Sequence, residues 1–231
     1  MRNLAIIPAR GGSKRIPRKN IKDFLGTPII AYSITAAIKS NLFDDIIVST
    51  DDIEIANLSK YYGASVPFLR DPKNSDDFAT TFDVIEEVIN NCLQLGKEYE
   101  NVCCIYPCAP FCTENQIIDS YNLLLDKKYK SVFPVVPYST PIQRALIIEN
   151  GKILPINSAV QNLRSQDLEH SYYDAGQFYW LDKSCILNDK KIFTDNSGVI
   201  VLDELHAQDI DTQIDWQLAE LKYKLINKNE N

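Results

Sequence analysis

Long apolar runs are missing from the sequence, and so is the hydrophobic segment of a signal peptide. No uninterrupted stretch approaches the roughly 20 apolar residues that a membrane helix needs. The apolar run nearest the amino terminus, Leu4 to Ile7, soon ends in a proline and an arginine. We therefore expect a cytoplasmic protein, in which the six cysteines are reduced thiols.

An excess of positive charge is also missing, because 24 lysines and arginines are outnumbered by 31 aspartates and glutamates and the net charge is −7. Proteins that bind nucleic acid or an anionic membrane through their overall charge are usually basic. The composition therefore argues against both classes. At 231 residues, of which 45% are hydrophobic, the chain is long enough to bury the core of one globular domain.

Metal-binding cysteine pairs are a third absence. Four cysteines cluster, but no two of them have the C-x-x-C spacing that is common in zinc sites, and both histidines lie far away in sequence. Cys103 and Cys104, if they lie in a strand, also point to opposite faces of the sheet. The cluster, which includes Cys108 and Cys112, is therefore interpreted as buried or half-buried thiols.

A basic loop near the amino terminus stands out against this acidic background. The predicted strand at 4–7 leads into Pro8 and the pair Gly11-Gly12. The cations of the loop are Arg10, Lys14, Arg15, Arg18 and Lys19. Glycine lets a backbone approach a phosphate closely and cations neutralise its charge, so the loop indicates a phosphate-rich ligand. Neither the P-loop spacing nor the G-x-G-x-x-G dinucleotide fingerprint is present, and a solvated basic loop remains the alternative.

Short apolar runs alternate with helical patterns over residues 1–137, which is typical of an α/β fold with a mainly parallel sheet and a Rossmann-like three-layer build. Further strands are predicted at 46–48, 64–69, 101–106, 131–136, 175–181 and 198–202. Thr27 and Pro28 have the residue types of a helix cap and a first helical position, so a helix is predicted to begin there. Polar residues follow the strands, so we expect the ligand cleft along the carboxyl edge of the sheet.

The alternation breaks at about residues 138–172. Asn150-Gly151 lies there between two short apolar runs, which predicts a β-hairpin extension inserted into a single domain that spans residues 1–231. The role of the hairpin stays open at this point, because a surface hairpin of one monomer and a contact between two copies have the same pattern.

Two carboxylates one residue apart, Asp209 and Asp211, precede the last predicted helix. In an extended chain they would face the same way and could share a hard cation such as Mg²⁺, which prefers oxygen ligands. The alternative is a pair of acids that stabilises a helix amino terminus. Asp215, three residues after Thr212, is interpreted as a helix-start residue. The apolar residues predicted to form the buried stripe of this helix are Ile214, Leu218, Leu221 and Leu225.

The string IPARGGSKRIPRKN, from Ile7 to Asn20, is followed by Phe24-x-Gly26-x-Pro28. Together they closely resemble the opening of the cytidylyltransferases that activate nonulosonic acids. That family contains the CMP-sialic acid synthetases and, more distantly, the CMP-KDO synthetases. The resemblance covers nearly all of the chain, and within the family the sequence is most similar to the enzymes for pseudaminic acid.

The resemblance implies transfer of a cytidylyl group from CTP to the anomeric hydroxyl of a nonulosonic acid, expected to be pseudaminic acid, with release of pyrophosphate. The product would serve surface glycan or flagellin glycosylation. The resemblance further implies Mg²⁺ as cofactor and a homodimer, in which the extension forms the contact and reaches toward the partner's active site. The alternatives are an enzyme for N-acetylneuraminic, legionaminic or KDO-type acids, and a non-catalytic CTP-binding module.

The resemblance also assigns candidate site residues. Arg10, Lys14 and Asp211 are the expected catalytic groups, and Asp209 with Asp211 the expected metal ligands. The nucleotide is expected to contact Ala9, Arg10, Gly11, Gly12, Ser13, Lys14, Asn20, Arg70 and Asp77. Arg70 could instead be a plain strand-end arginine. Arg15 could be a ligand or solvated, whereas Arg18 and Lys19 are expected to face solvent.

Two segments depart from the sialic acid pattern at the expected sugar site. The residues from Tyr106 to Cys112 replace Gln-Pro-Thr-Ser-Pro-x-Arg, and those from Tyr173 to Gly176 replace Arg-Pro-Asn-Gly. The pocket thus exchanges polar groups for apolar ones, which suits the deoxygenated, N-acylated ring of pseudaminic acid. The expected sugar-binding residues are Tyr106, Asp174 and Gln177. Ordinary strand-end packing is the alternative for these three residues.

Overall fold

A seven-stranded sheet forms the centre of the part of the chain that the structure, a computed structural model, describes: residues 1–76 and 78–229. In chain order the strands are β1 (Asn3–Pro8), β2 (Asp23–Phe24), β3 (Thr27–Pro28), β4 (Asp45–Ser49), β5 (Asn101–Ile105), β6 (Ser131–Pro137), β7 (Leu146–Glu149), β8 (Lys152–Pro155), β9 (Tyr172–Asp174), β10 (Phe178–Asp182) and β11 (Ser197–Val201). The order in the sheet is β11-β6-β10-β5-β1-β4, with β9 paired to β6. β10 runs antiparallel to both of its neighbours, while β1, β4 and β5 are parallel to one another, as are β6 and β11. The predicted mainly parallel sheet is confirmed.

Helices cover both faces of this sheet, as the predicted three-layer build requires. They are α1 (Ile29–Ser40), α2 (Ile53–Tyr61), α3 (Thr81–Gln94), α4 (Glu114–Lys127) and α5 (Gln213–Asn229). Successive residues of β1 serve opposite layers: Ile7 packs in one cluster with Ile34 of α1 and residues of α4, and Ile6 in another with Ile85 of α3. None of the described helices is both long and apolar enough to span a bilayer.

The cysteines follow the strand geometry predicted for them. Cys103 and Cys104 are fully buried on opposite faces of β5, one in each layer of the core. Burial raises the pKa of the Cys104 thiol to about 12, so the thiol stays protonated at neutral pH. All six cysteines are free thiols, and the described residues contain no group of three or more His, Cys, Asp or Glu side chains that could hold a metal.

The strand predicted at 64–69 is wrong. Ser65 makes a single parallel bridge to Ile47 and then leaves the sheet. Pro67 lacks the N–H that a continued ladder would need, so hydrogen bonding to β4 stops there. The backbone pairs again at Arg70, whose N–H donates to the carbonyl of Thr50, just after β4, at 2.8 Å.

The predicted start of the first helix is also wrong. Thr27 and Pro28 pair with Phe24 and Asp23 as the short ribbon β2–β3, so Thr27 does not cap a helix. The helix begins one residue later, at Ile29, and no side chain caps its amino terminus. The residue types were right for a cap, but the chain uses the backbone of Thr27 for strand pairing.

Helix α5 buries a different stripe from the predicted one. Ile214, Leu218, Leu221 and Leu225 are all exposed. The buried residues are Trp216 and Ala219, which pack with Phe24 and other apolar residues beneath the basic loop. The stripe that carries the tryptophan removes more apolar area from water, so it faces the core.

The extension contains the predicted hairpin, formed by β7 and β8. Asn150 and Gly151 both have positive φ, 49° and 75°, as a tight two-residue hairpin turn requires. Apolar residues on both faces of this ribbon are exposed, including Ile148 and Ile153, which are paired across it.

Candidate active site

A cavity of about 540 Å³ lies at the carboxyl edge of the sheet. Five parts of the chain line it: the basic loop after β1, residues within 70–76 and 79–84, the segment 106–108 after β5, Gly176 before β10, and residues 208–211 before α5. This is the edge at which open α/β sheets bind ligands, because the loops that follow parallel strands converge there. The polar strand ends meet at one place, as the sequence predicts.

Acidic residues after β4 hold the backbone of the basic loop. The N–H of Gly11 donates to Asp51 Oδ1 at 2.8 Å, and a Cβ at Gly11 would lie only 2.9 Å from Asp52 Oδ2. Glycine is therefore required at this position for the close approach of the loop to the acids.

Arg18, which was expected to face solvent, is part of the same clamp. Its guanidinium forms ion pairs with Asp52 and Glu54. Asp52 also caps α2 by accepting hydrogen bonds from the backbone N–H groups of Glu54 and Ile55. The hydrogen bond from Arg18 holds the pKa of Asp52 below its usual range. The side chain of Arg18 is still 39% exposed, so the expectation holds in part, but its ion pairs were not predicted because the carboxylates lie too far along the chain for a sequence pattern to reveal them.

Lys19 was also expected to face solvent, and it lines the cavity instead. Its ammonium group donates to the carbonyl of Ile210 at 2.6 Å and lies 3.7 Å from Asp211 Oδ1. Arg15 donates to the other oxygen of Asp211 at 2.9 Å, although the two residues are 196 positions apart in sequence. Two cations of the loop thus contact Asp211. The position of Lys19 on the cavity wall could not be predicted from sequence, because it depends on a contact with a distant part of the chain.

The acid pair has the arrangement that its spacing predicts. Ile210 is buried in the cluster that also contains Ile16 of the basic loop, and Asp209 and Asp211 both line the cavity. Partial burial, and then repulsion from Asp211, raise the pKa of Asp209. Two mutually repelling carboxylates beside a cavity suit a hard divalent cation with further oxygen ligands.

Asp215 lies at the start of the last helix, as predicted. Its carboxylate accepts from the backbone N–H of Thr212 at 2.6 Å, and its own N–H donates to Thr212 Oγ1 at 3.3 Å. This reciprocal pair is a capping box, which uses the Asp215 carboxylate at the helix amino terminus. Asp215 is not among the residues that line the cavity.

The expected nucleotide-binding residues divide into those on the cavity wall and those behind it. On the wall are Arg10, Ser13, Lys14, Asn20 and Arg70. Ala9 is fully buried behind the wall, and neither Gly11 nor Gly12 lines it. Asp77 lies outside the described residues.

Arg70 is buried as well as being on the cavity wall. Its Nε donates to Ser49 Oγ at 2.9 Å, at the end of β4, and burial lowers the pKa of its guanidinium. The side chain therefore bonds to the end of β4 and also lines the cavity. Both interpretations of Arg70, as a strand-end arginine and as a nucleotide-binding residue, agree with this position.

The three expected sugar-binding residues are also divided. Tyr106 lines the cavity, its hydroxyl is 2.9 Å from Thr81 Oγ1, and burial raises its pKa. Asp174 and Gln177 do not line it. Asp174 accepts from the hydroxyl of Tyr179 at 2.6 Å, and Gln177 is buried and donates to the carbonyl of His206 at 2.6 Å. These two side chains are hydrogen-bonded to other groups of the protein. Gly176, which lies between them in sequence, does line the cavity.

A basic glycine loop in contact with a carboxylate pair, at the carboxyl edge of an α/β sheet, has the charges that suit a phosphate-bearing ligand. The chain belongs to the cytidylyltransferase family, whose model matches residues 4–195. It is 42% identical over 230 residues to a pseudaminic acid cytidylyltransferase of Campylobacter jejuni subsp. jejuni, and the match covers 99% of each chain. It is 35% identical over 236 residues to the CMP-N,N'-diacetyllegionaminic acid synthase of Legionella pneumophila, over 100% of this chain and 98% of that one.

Solved structures support the fold independently. CMP:2-keto-3-deoxy-manno-octonic acid synthetase in complex with CTP superposes with a TM-score of 0.71 at 14% identity, over 99% of this chain and 100% of that one. A 4-diphosphocytidyl-2C-methyl-D-erythritol synthase from Anaerococcus prevotii has a TM-score of 0.66 at 17% identity, over 96% and 98%. At these identities the likeness establishes the Rossmann-like architecture alone.

Proposed function

We propose that the protein transfers the cytidylyl group of CTP to pseudaminic acid, giving the CMP-sugar and pyrophosphate for surface glycan or flagellin glycosylation. The observation that carries the proposal is that the basic loop contacts the acid pair and that both line one cavity. End-to-end identity of 42% to a pseudaminic acid cytidylyltransferase supports the choice of acceptor. We expect the enzyme to act in the cytoplasm, which agrees with its six free thiols.

In the reaction, the anomeric hydroxyl of the sugar acid attacks the α-phosphorus, and the bond to the pyrophosphate leaving group breaks. Positioning and charge neutralisation are the main needs of such a transfer. Arg10, Lys14, Arg15 and Lys19 all belong to the loop on one wall of the cavity, so we assign the triphosphate to them. This adds Arg15 and Lys19 to the expected catalytic groups Arg10, Lys14 and Asp211.

Asp209 and Asp211 would hold Mg²⁺, since both are oxygen ligands on the same wall and their charges repel each other. When bound, Mg²⁺ would neutralise phosphate oxygens and orient them for the in-line displacement. Arg15 and Lys19 contact Asp211 and keep the acid pair next to the basic loop.

The acceptor is assigned to the part of the cavity around Tyr106 and Gly176. The hydroxyl of Tyr106 and its Thr81 partner offer a polar contact on this part of the wall. Asp174 and Gln177 remain proposed sugar-binding residues. Their hydrogen bonds within the protein favour a role in which they position the neighbouring Gly176 rather than contact the sugar themselves. The legionaminic acid reaction is the second candidate, because of the 35% identity to a legionaminic acid synthase.

We further propose a homodimer formed through the β7–β8 hairpin. A two-stranded ribbon is at best marginally stable alone, and this one exposes apolar side chains on both faces. Pairing with a second copy would remove that apolar surface from water.

Pyrophosphate release in the presence of CTP and Mg²⁺ tests the proposal, with pseudaminic, legionaminic, N-acetylneuraminic and KDO acids offered separately. Release mainly with pseudaminic acid is the expected result. Release mainly with another of these acids would keep the reaction and overturn the acceptor. CTP binding without release for any acid would favour a non-catalytic CTP-binding module.

A further inference from the structure

The side chain of Asn20 connects two parts of the cavity wall. It is only 5% exposed, and its amide is hydrogen-bonded at both ends. Nδ2 donates to the carbonyl of Arg10 at 2.8 Å, within the basic loop. Oδ1 accepts from the thiol of Cys108, with the sulfur 3.2 Å away. The two bonds fix which end of the amide faces which partner.

Cys108 lies in a segment that the core holds firmly. The backbone N–H of Tyr106 donates to the carbonyl of Gln177 at 2.8 Å. The carbonyl of Tyr106 accepts from the hydroxyl of Ser33, a fully buried residue of α1, at 2.8 Å. Because neighbouring backbone is anchored to both α1 and the start of β10, the thiol two residues later has a rigid support.

The thiol is also kept in the form that can donate. Burial raises the pKa of Cys108 to about 12, although the nearby ammonium group of Lys19 acts in the opposite direction. The S–H group therefore persists at neutral pH and can donate to Asn20 Oδ1. Cys108 lines the cavity next to the acid pair, yet its hydrogen bond is directed to the basic loop.

We propose that Cys108 is a positioning residue for the nucleotide: its thiol orients the amide of Asn20, and Asn20 in turn holds the backbone of the basic loop at Arg10. The inference rests on the proposed function, because it assumes that this loop binds CTP. Asp51, Asp52 and Glu54 hold the loop from the β4 side, and Cys108 with Asn20 holds it from the β5 side.

Cys108→Ala removes the donor and leaves Asn20 Oδ1 unpaired in a buried place. The expected result is a rise of about fivefold to tenfold in KM for CTP, with kcat changed by less than about twofold, as for the loss of one weak hydrogen bond that acts on binding. Cys108→Ser supplies a hydroxyl donor at the same position and should return KM to within about twofold of the wild-type value.

Cys185→Ala is the matched control. Its thiol also donates to an oxygen, the carbonyl of Lys191 at 3.1 Å, but Cys185 does not line the cavity. It should lower the thermal midpoint without changing KM for CTP. Equal KM values for the wild type and Cys108→Ala would overturn the inference. So would a rise in KM for the sugar acid alone, which would mean that Cys108 touches the acceptor.

A measurement without turnover separates this inference from the proposed function. Calorimetric titration with CTP should reproduce the loss of affinity in Cys108→Ala and its recovery in Cys108→Ser. The side-chain amide signals of Asn20 in a ¹⁵N spectrum should shift in Cys108→Ala and stay near their wild-type positions in Cys108→Ser. Unshifted Asn20 signals in Cys108→Ala overturn the Cys108 inference alone, whereas a wild-type protein that neither binds CTP nor releases pyrophosphate overturns both.

Discussion

The basic loop and the β7–β8 hairpin differ in where their contacts go. Side chains of the loop bond to groups far along the chain, among them Asp52 and Asp211. Arg144, beside the hairpin, instead bonds to Ser165 within the extension, and apolar side chains of the ribbon such as Ile148 and Ile153 are exposed. The difference indicates two uses: charged groups assembled from distant segments suit a small anionic ligand, while an exposed apolar ribbon suits a protein surface.

The largest effect is expected from breaking the contact between the loop and the acid pair. Asp211→Asn removes the charge that Arg15 and Lys19 share and one proposed metal ligand. We expect kcat/KM for pyrophosphate release to fall by about 10³-fold, which is typical of losing a main electrostatic group of an active site.

Asp203→Asn is the control for this variant. Asp203 lies in the same stretch and caps a short turn, but it does not line the cavity. Activity should stay within about twofold of the wild type, because asparagine caps such turns nearly as well. An Asp211→Asn enzyme that kept more than a tenth of its activity would remove Asp211 from the catalytic groups.

The hairpin is tested by placing charge on its exposed ribbon. Ile148 and Ile153 face each other across β7 and β8, and the double change to aspartate puts two like charges on a surface proposed to be covered. We expect the dissociation constant of the homodimer to rise by at least about 100-fold, measured by light scattering over a concentration series.

Ile53→Asp is the matched control, since Ile53 is exposed at the start of α2, outside the extension. It should leave the dimer intact. A wild-type protein that is monomeric at every concentration would refute the proposed dimer. A double variant that still dimerises would show that the dimer contact is not formed by the β7–β8 hairpin.

A smaller effect is expected from loosening the clamp on the loop. Arg18→Gln removes the ion pairs with Asp52 and Glu54. Since both partners are partly exposed, we expect a loss of about 0.5–1 kcal/mol at pH 7, or about 1–4 °C in the thermal midpoint. Lys73→Gln, which removes a more exposed pair with Asp71, should change the midpoint by less than about 1 °C.

The pH dependence of this loss has a definite sign. Hydrogen bonding from Arg18 lowers the pKa of Asp52 in the folded state below its unfolded value of about 3.9. The stabilisation is therefore fully present above the unfolded pKa and is lost as the pH falls through the lowered folded pKa. The difference between wild type and Arg18→Gln should shrink below about pH 4. A difference that stayed constant down to pH 3 would mean that Asp52 is not the partner that matters.

The parts of the fold predicted correctly from sequence have local causes. Thr212 and Asp215 form the expected start of α5, and Asn150-Gly151 makes the expected hairpin turn. In each case the residues that determine the structure lie within a few positions of one another, so a short pattern contains the necessary information.

The errors arise where the position of a side chain depends on a partner far along the chain. The ion pairs of Arg18 and Lys19 depend on acids 34 or more positions away, and spacing within the loop cannot reveal them. Cys108 was correctly interpreted as a half-buried thiol, but its bond to Asn20 spans 88 positions. The common position of Asp209 and Asp211 on the cavity wall could be predicted because the two residues are close in sequence, whereas their binding of Mg²⁺ stays a prediction.

The smallest effect should come from the stripe of α5 that was predicted to be buried. Leu221 is 62% exposed, so Leu221→Ala should cost less than about 0.5 kcal/mol in urea unfolding. Trp216→Ala, on the opposite stripe, should cost about 3–5 kcal/mol and also weaken activity, because Trp216 packs in the cluster that holds Ile16 and Ile210 beneath the two walls of the cavity. A loss above about 1.5 kcal/mol for Leu221→Ala would mean that this stripe is covered in solution. The β7–β8 hairpin would then not be the only exposed apolar surface that contacts another protein, and α5 would be a second one.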